Sequence, residues 1–171
     1  MLEARQKELY EQWLALRPET GGAPVRASFD PIDTPKAMSS LILAEVEADD
    51  YLFRVVGTDM VEAWGRDYTG ERLSDIMSGE YHAFIRGLFD QTVKTQACVF
   101  SHSRFQWDRG RTLDTRRLML PFARNSAPET IGYVLVSQVF DYSQTGPAQP
   151  VIAGAEEAVR TDIAREVLGV E

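Results

Sequence analysis

The chain has 171 residues, 44% apolar and 26% charged, with a formal net charge of -8. A chain of this length forms one domain with terminal extensions and buries roughly 70% of the surface its unfolded form exposes, so neither disorder nor a disulfide scaffold is indicated. The acidic balance argues against a general nucleic-acid binder, which needs a concentrated basic face.

One basic segment stands apart. Arg104, Arg109, Arg111, Arg116, Arg117 and Arg124 face only Asp108 and Asp114, six minus two, or +4 locally. It reads as a solvated sheet face and hairpin, with an anion or acidic-partner site as the other reading. Cys98 is the only cysteine, which excludes an intrachain disulfide and a thiolate cluster within one chain and fits a reducing compartment. Glu3, Arg5, Lys7 and Glu8 stand where a secretory signal needs an apolar run, and no apolar segment approaches the ~20 residues that span a bilayer. A cytoplasmic protein with no membrane partner is expected.

From Leu2 to Leu16 the apolar residues Leu2, Leu9, Tyr10, Trp13, Leu14 and Leu16 fall near one side of a 3.6-residue repeat, which predicts an amphipathic helix. Pro18 stops it and Gly21-Gly22 makes a loop, so residues 1–23 form a helix and linker ahead of a domain over 24–143. The helix must bury its stripe over a sheet or against a second copy. Leu9, Trp13 and Leu16 are the residues expected to matter for self-association as a homodimer.

Pro24 to Pro35 reads as an extended approach, with Thr34-Pro35 as the cap and first position of a short helix over Lys36 to Ser40. Leu41 to Glu47 and Tyr51 to Val56 flank a short acidic turn and predict a β-hairpin, with Ile42, Ala44 and Val46 facing the core. Gly57 then permits a turn that a Cβ would restrict. Asp59 to Trp64 is helical in pattern and Gly65 is placed to end it as a left-handed cap. Leu73, Ile76 and Met77 make another helical turn, and Glu80 to Thr95 carries Phe84, Ile85, Leu88, Phe89 and Val93 at helical spacing. Two long strands, Ala97 to Trp107 and Thr112 to Phe122, are joined at Asp108-Arg109-Gly110. Thr130 to Tyr142 is the strongest strand, apolar on both faces as a covered central strand is. In residues 144–171, Gly146, Pro147 and Pro150 mark a linker. Val159, Ile163 and Val167 at i+4 steps predict a modest helix over Ala155 to Leu168.

The order strand, strand, short helices, longer helix and three strands is that of a PAS domain. The string YLFRVVGTDMVEAWGRDYTGERLSDI closely resembles the stand-alone bacterial PAS family, with Arg54, Gly57, Gly65, Arg66, Asp67, Thr69 and Gly70 carrying the match and the likeness covering about Pro24 to Tyr142. The resemblance implies an α+β fold, a five-stranded antiparallel sheet whose short helices enclose a cavity on one face. It further implies a non-enzymatic sensory or regulatory module that binds a small molecule or a protein partner and signals through its flanking helices to a separate protein; fold alone does not fix function.

By that likeness a pocket would lie between sheet and helices, with Met60, Trp64, Phe84, Leu88, Phe100, Leu118, Leu120, Val134 and Val136 as its candidates. Filled cores use the same residue types, so simple core is the competing reading. Arg54 and Arg116 orient an anionic ligand if they point inward and are exposed strand ends otherwise. Arg66 and Asp67 read as a structural charge pair or cap. The related LOV photoreceptors require a cysteine in the short-helix region; Cys98 begins a strand instead, so flavin photochemistry is not supported and Cys98 reads as a small buried hydrophobe. Haem-binding members ligate iron through a histidine on the longer helix. His82 has that place, but a surface histidine has it too. With two histidines and no clustered carboxylates, a protein-held metal is not expected.

Two other functions stay open. One is a small curved-sheet enzyme, isomerase-like or cyclase-like, using His82 or His102 with Asp108 or Asp114, although no nucleophile elbow, phosphate loop or HExxH string supports it. The other is a ligand-free protein-interaction module.

Overall fold

The structure, a computed structural model, describes residues 1–108, 111–125, 130–143 and 158–169. Helix α1 (Ala4–Leu16) is followed by three short 3-10 turns, the last over Pro35–Ser40. The hairpin β1 (Leu41–Val46) and β2 (Tyr51–Val56) leads into α2 (Thr58–Trp64), α3 (Leu73–Ile76) and α4 (Gly79–Thr95). Strands β3 (Cys98–Asp108), β4 (Arg111–Ala123), β5 (Ile131–Asp141) and β6 (Val159–Leu168) complete the chain. They form one antiparallel sheet in the order β2-β1-β5-β4-β3-β6.

The sheet therefore has six strands rather than five, and the predicted C-terminal helix is a strand from Val159 onward; residues 155–157 of it, and the 144–150 linker, lie outside the described residues. The i+4 spacing of Val159, Ile163 and Val167 is also an even step, so it satisfies the strand period of two as well as the helical period. Thr161 lies on the same odd positions, and β-branched residues favour a strand where a neighbour offers its main chain. Strand β3 offers that edge, pairing with β6 from Cys98↔Leu168 to Gln106↔Val159.

Both faces of the sheet are covered. Helices α2 to α4 pack on Ile42, Ala44, Phe53, Val99, Leu113, Met119, Val134 and Val136. On the opposite face α1 packs on Leu41, Leu43, Cys98, Leu118, Leu120, Phe122 and Leu135. The predicted core parity of β1 holds for Ile42 and Ala44, yet Leu41 and Leu43 are buried too because α1 closes the second face. Leu9 and Trp13 are 0% and 1% exposed, and the Trp13 indole N–H donates to the Pro121 carbonyl at 2.8 Å. Gln6 is buried beside them, its amide donating to the carbonyls of Arg116 (3.1 Å) and Ser137 (3.0 Å).

Gly65 ends α2 with a left-handed φ of 72°, as its place in the sequence predicts. Gly57 serves a different purpose from the one its position suggests. Its φ of -68° is open to any residue, but a Cβ there would sit 2.3 Å from the Ser39 carbonyl oxygen and 2.9 Å from that of Leu41. Close approach of two backbones requires the glycine, and the Gly57 N–H uses that approach to donate to Leu41 O at 2.7 Å. Gly57→Ala should therefore destabilise the fold by about 3 kcal/mol, the upper end of the cost of overpacking; a urea midpoint unchanged within error would refute this reading. Thr34 precedes the Pro35–Ser40 turn without capping it through its side chain; its hydroxyl turns back toward the Pro31 carbonyl at 3.4 Å.

The glycine-punctuated stretch after α2 has a defined place. Gly70, with φ 87°, donates its N–H to Phe53 O at 2.7 Å, and Phe53 N–H donates to Glu71 O at 3.0 Å. Residues 70–72 thus run along the outer edge of β2, with Leu52 bridged to Arg72. Asp67 accepts from the Thr69 N–H (2.9 Å) and hydroxyl (2.7 Å), fixing the turn. Arg66 pairs with Glu71, and its guanidinium covers Tyr68. Arg66 and Asp67 each have a structural role, but not with one another.

Candidate functional site

The face of the sheet under α4 is apolar at one end and polar at the other, because β4 and β5 bring different residues to the same parity. Toward β1 and β2 it presents Ile42, Phe53, Met119 and Val136, covered by Trp64, Met77, Tyr81, Ile85, Leu88 and Phe89. Further along the same two strands, the next residues of that parity are Arg117 and Gln138, paired directly across β4 and β5. These twelve residues line one cavity. It leaves about 20 Å³ for the centre of a water-sized sphere, room for a single water. A larger occupant needs side chains to move, and Met77 and Met119 are the flexible members of the wall.

Arg117 is the unusual member. It is 2% exposed, and its guanidinium lies 5.7 Å from the centre of the Phe84 ring and 5.8 Å from that of Phe105. Burial pulls its basicity below the usual arginine range, with the neighbouring Tyr81 hydroxyl acting the other way. Among the described residues its Nε and Nη1 have no hydrogen-bond partner, nor do Gln138 Nε2 and Thr115 Oγ1. Thr115 lies two residues from Arg117, on the same face of β4. Buried polar groups are normally paired, so three groups with unpaired atoms along one stretch of sheet set this end of the cavity apart from its apolar wall.

The other arginines of the basic segment are accounted for individually. Arg104 holds Asp114 through both carboxylate oxygens (2.6 and 2.9 Å), Arg116 reaches Glu3 at 3.1 Å, and Arg124 reaches Glu45 at 2.9 Å. Arg111 also has a partner, and Arg109 lies outside the described residues. Arg54 binds the same Glu45 on the exposed side of β2. Neither Arg54 nor Arg116 faces the cavity.

Of the nine pocket candidates, Trp64, Leu88 and Val136 line the cavity, while Met60, Phe84 and Val134 belong to the core around it. Leu118 and Leu120 lie on the opposite face under α1, and Phe100, facing Leu118 across the β3–β4 register, shares that face. In β4 the apolar run Leu118, Leu120, Phe122 has the parity of the α1 face, and Arg117 and Met119 have that of the cavity. Leu9 and Trp13, expected at a seam between copies, are buried against their own sheet, and Leu16 is partly buried beside them.

A roomier groove, about 120 Å³ by the same measure, lies on the α1 face between Arg26, Pro31, Met38, Leu41, Leu43, Val55 and Leu135. It is open, with Met38 49% and Val55 51% exposed, and among the described residues that line it Arg26 Nε alone is buried and unpaired, against several such atoms around Arg117.

Residues 1–135 match the model of a family described as PAS domain. The chain belongs to the PAS family. The match runs from α1 into β5 and ends before β6. No curated protein matches the chain. Among solved structures, a light-oxygen-voltage domain studied with a flavin analogue has 8% identity and a TM-score of 0.47, covering 63% of this chain and 80% of that one. An RNA-binding light-oxygen-voltage receptor has 16% identity and a TM-score of 0.47, covering 75% of this chain and 38% of that one. A fungal LOV domain photoreceptor has 12% identity and a TM-score of 0.45, covering 75% and 87%.

Within this PAS domain, Cys98 points to the α1 face with Leu118 and not toward the cavity, and burial pushes its thiol well above the usual range. His82 sits in the first turn of α4, outside the cavity lining, and its Nε2 has no partner among the described residues. Among those residues no group of three or more His, Cys, Asp or Glu side chains is placed to hold a metal, and no helix is long and apolar enough to cross a membrane.

His102 does meet Asp114, Nε2 to Oδ2 at 3.0 Å, on diagonal positions of β3 and β4, where Asp114 is paired with Arg104. Both Asp114 oxygens are also held by Arg104, and neither His102 nor Asp114 lines either cavity described above. The hydrogen bond from Arg104 holds the Asp114 carboxyl below its usual range, with His102 adding to the effect. A carboxyl depressed in the folded state stabilises the protein above its unfolded pKa of ~3.9 and loses that contribution as pH falls through the lower folded value. Asp114→Asn should accordingly cost stability at neutral pH, with the gap from wild type narrowing below about pH 4. Urea unfolding at several pH values checks this; a gap independent of pH would contradict it.

Proposed function

We propose that this PAS domain is a non-enzymatic sensory module that takes up a small molecule in the cavity under α4 and passes the change to a separate protein through the elements flanking the fold. The observation that carries this reading is a cavity apolar over most of its wall with buried, unpaired polar groups at one end, the composition of a site that both holds and orients a ligand. Route and pocket are close together. Helix α4 forms the roof, and Arg165 of β6 grips it, donating to Gln91 Oε1 at 2.6 Å and to the Gly87 carbonyl at 2.8 Å. A shift of the roof would be felt at the sheet edge.

The enzyme reading gains a His–carboxylate contact at His102 and Asp114, but Asp114 is neutralised by Arg104 and the pair lines neither cavity described above, so we take it as structural. The test is a screen of neutral, cationic and anionic fragments by thermal shift, with hits mapped by amide NMR. At least one chemical class should shift resonances of α4 and of β5 around Val136. A screen in which no class does so would overturn the reading and favour a ligand-free contact module.

A further inference from the structure

Arg117 lines the polar end of the cavity from β4, Arg160 from β6 lies beside it against the same Phe84 ring at 3.8 Å, and Asp162 from β6 is, among the described residues, the carboxylate next to them; Arg160 and Asp162 are partly open to solvent. Asp162 is engaged by Arg160 at 3.0 Å and by the Ser103 hydroxyl at 3.4 Å. Two cations and one anion leave one positive charge among the described residues. Tyr81, on α4, is a further titratable group beside the guanidinium. The aromatic faces of Phe84 and Phe105 attract a cation but supply no acceptor for its N–H groups. Arginine does not escape the penalty by losing its proton, since even a lowered guanidinium stays protonated at neutral pH.

The unpaired groups agree with the charge count. Arg117 Nε and Nη1 are donors, Gln138 Nε2 lies opposite them on β5, and the Thr115 hydroxyl can donate as well. Donors without acceptors and a surplus positive charge call for the same thing: a bound group that is negative and brings at least two oxygens. A single surplus charge matches a monoanion. The planar guanidinium fork matches a carboxylate, and the remaining wall, Ile42, Trp64, Met119 and Val136, is suited to a short hydrocarbon end.

We propose that the cavity under α4 binds a short-chain monocarboxylate, its carboxylate held by Arg117 and Gln138 and its apolar end lying against Trp64 and Met119. This rests on the small-molecule reading above and gives it a chemical class. The limited free space argues for a small ligand, admitted by rotation of Met77 and Met119, rather than for a large planar cofactor.

The full-length protein is titrated with sodium butyrate, butyramide and sodium chloride at constant ionic strength. Readouts are the melting midpoint and, for butyrate, the chemical shift of its labelled carboxyl carbon. Butyrate should give a saturable rise in midpoint and a shifted carboxyl resonance. Butyramide and Arg117→Met should each weaken binding at least about tenfold, the loss of a charge-assisted hydrogen bond. Arg117→Lys, which keeps the charge and loses the fork, should fall between. If Arg117→Met does not fold, Gln138→Leu serves, with an expected loss of about fivefold for a neutral donor. Butyramide binding as tightly as butyrate, or butyrate binding unaltered in the variants, would overturn the anion assignment and leave the small-molecule function standing. A chloride effect equal to that of butyrate would reduce the site to an inorganic-ion site and overturn the carboxylate. No response to any probe, together with an empty fragment screen, would remove both.

Discussion

Arg117→Met is expected to make the ligand-free protein more stable, by about 1–4 kcal/mol. The sign is the informative part. Most core substitutions destabilise, and removing a buried arginine that satisfies a carboxylate costs several kcal/mol because the partner is left behind. Here the guanidinium is 2% exposed, and among the described residues two of its nitrogens are unpaired. Methionine has a similar reach, fits between Phe84 and Phe105, and removes the desolvated charge. Urea unfolding should move the midpoint upward with an unchanged slope, since the surface exposed on unfolding hardly changes. A loss of several kcal/mol instead would mean that the charge is compensated within the chain. Together with weaker carboxylate binding by the same variant, a gain in stability would be the signature of a residue kept for a ligand at the fold's expense.

Trp13→Ala should cost about 3–5 kcal/mol, the range for truncating a large buried aromatic. Trp13 is 1% exposed, sits in the α1 face of the core, and donates its indole N–H to Pro121 O at 2.8 Å. The substitution leaves a cavity and an unsatisfied carbonyl, and weakens the docking of α1 over Leu118, Leu120 and Phe122. Trp13→Phe keeps most of the area and should lose about 1–3 kcal/mol, mainly the hydrogen bond and the carbonyl left unpaired. The comparison separates packing from bonding in one denaturation series. A Trp13→Ala cost below about 1 kcal/mol would show that α1 is docked only loosely, because full burial of such a side chain cannot be that inexpensive to undo.

Helices and strands through β5 were legible because each carries one dominant period and a marked end: Gly65 after Trp64, the Phe84 to Phe89 stripe, and the two-faced run at Val134 to Val136. Strand β6 was not legible. Steps of four residues fit two periods, and the partner that selects between them, the free edge of β3, is set by tertiary structure. The same reason governs the site. Alternation separates the two faces of β4 but does not say which one the helices cover, and with α1 on the far side both are buried. Leu118 and Leu120 are the conspicuous residues of β4 and belong to the face under α1, while Arg117 reads as one more charge in a basic segment. Its burial depends on α4, and no local pattern records that.

The two ends of the sheet bear on how the protein behaves at high concentration. An edge strand presents a row of unpaired backbone groups that can template another chain, the first step toward aggregation. At one end residues 70–72 already occupy part of the outer side of β2, which is only six residues long. At the other, β6 is ten residues long but carries Arg160, Asp162, Arg165 and Glu166, and its pairing with β3 is broken by a register shift between His102 and Ser103. Charges and a bulge both discourage a flat, in-register addition. Residues 70–72 and the strand that lies beyond the family match thus act alike, each guarding one border of the sheet against its neighbours in solution.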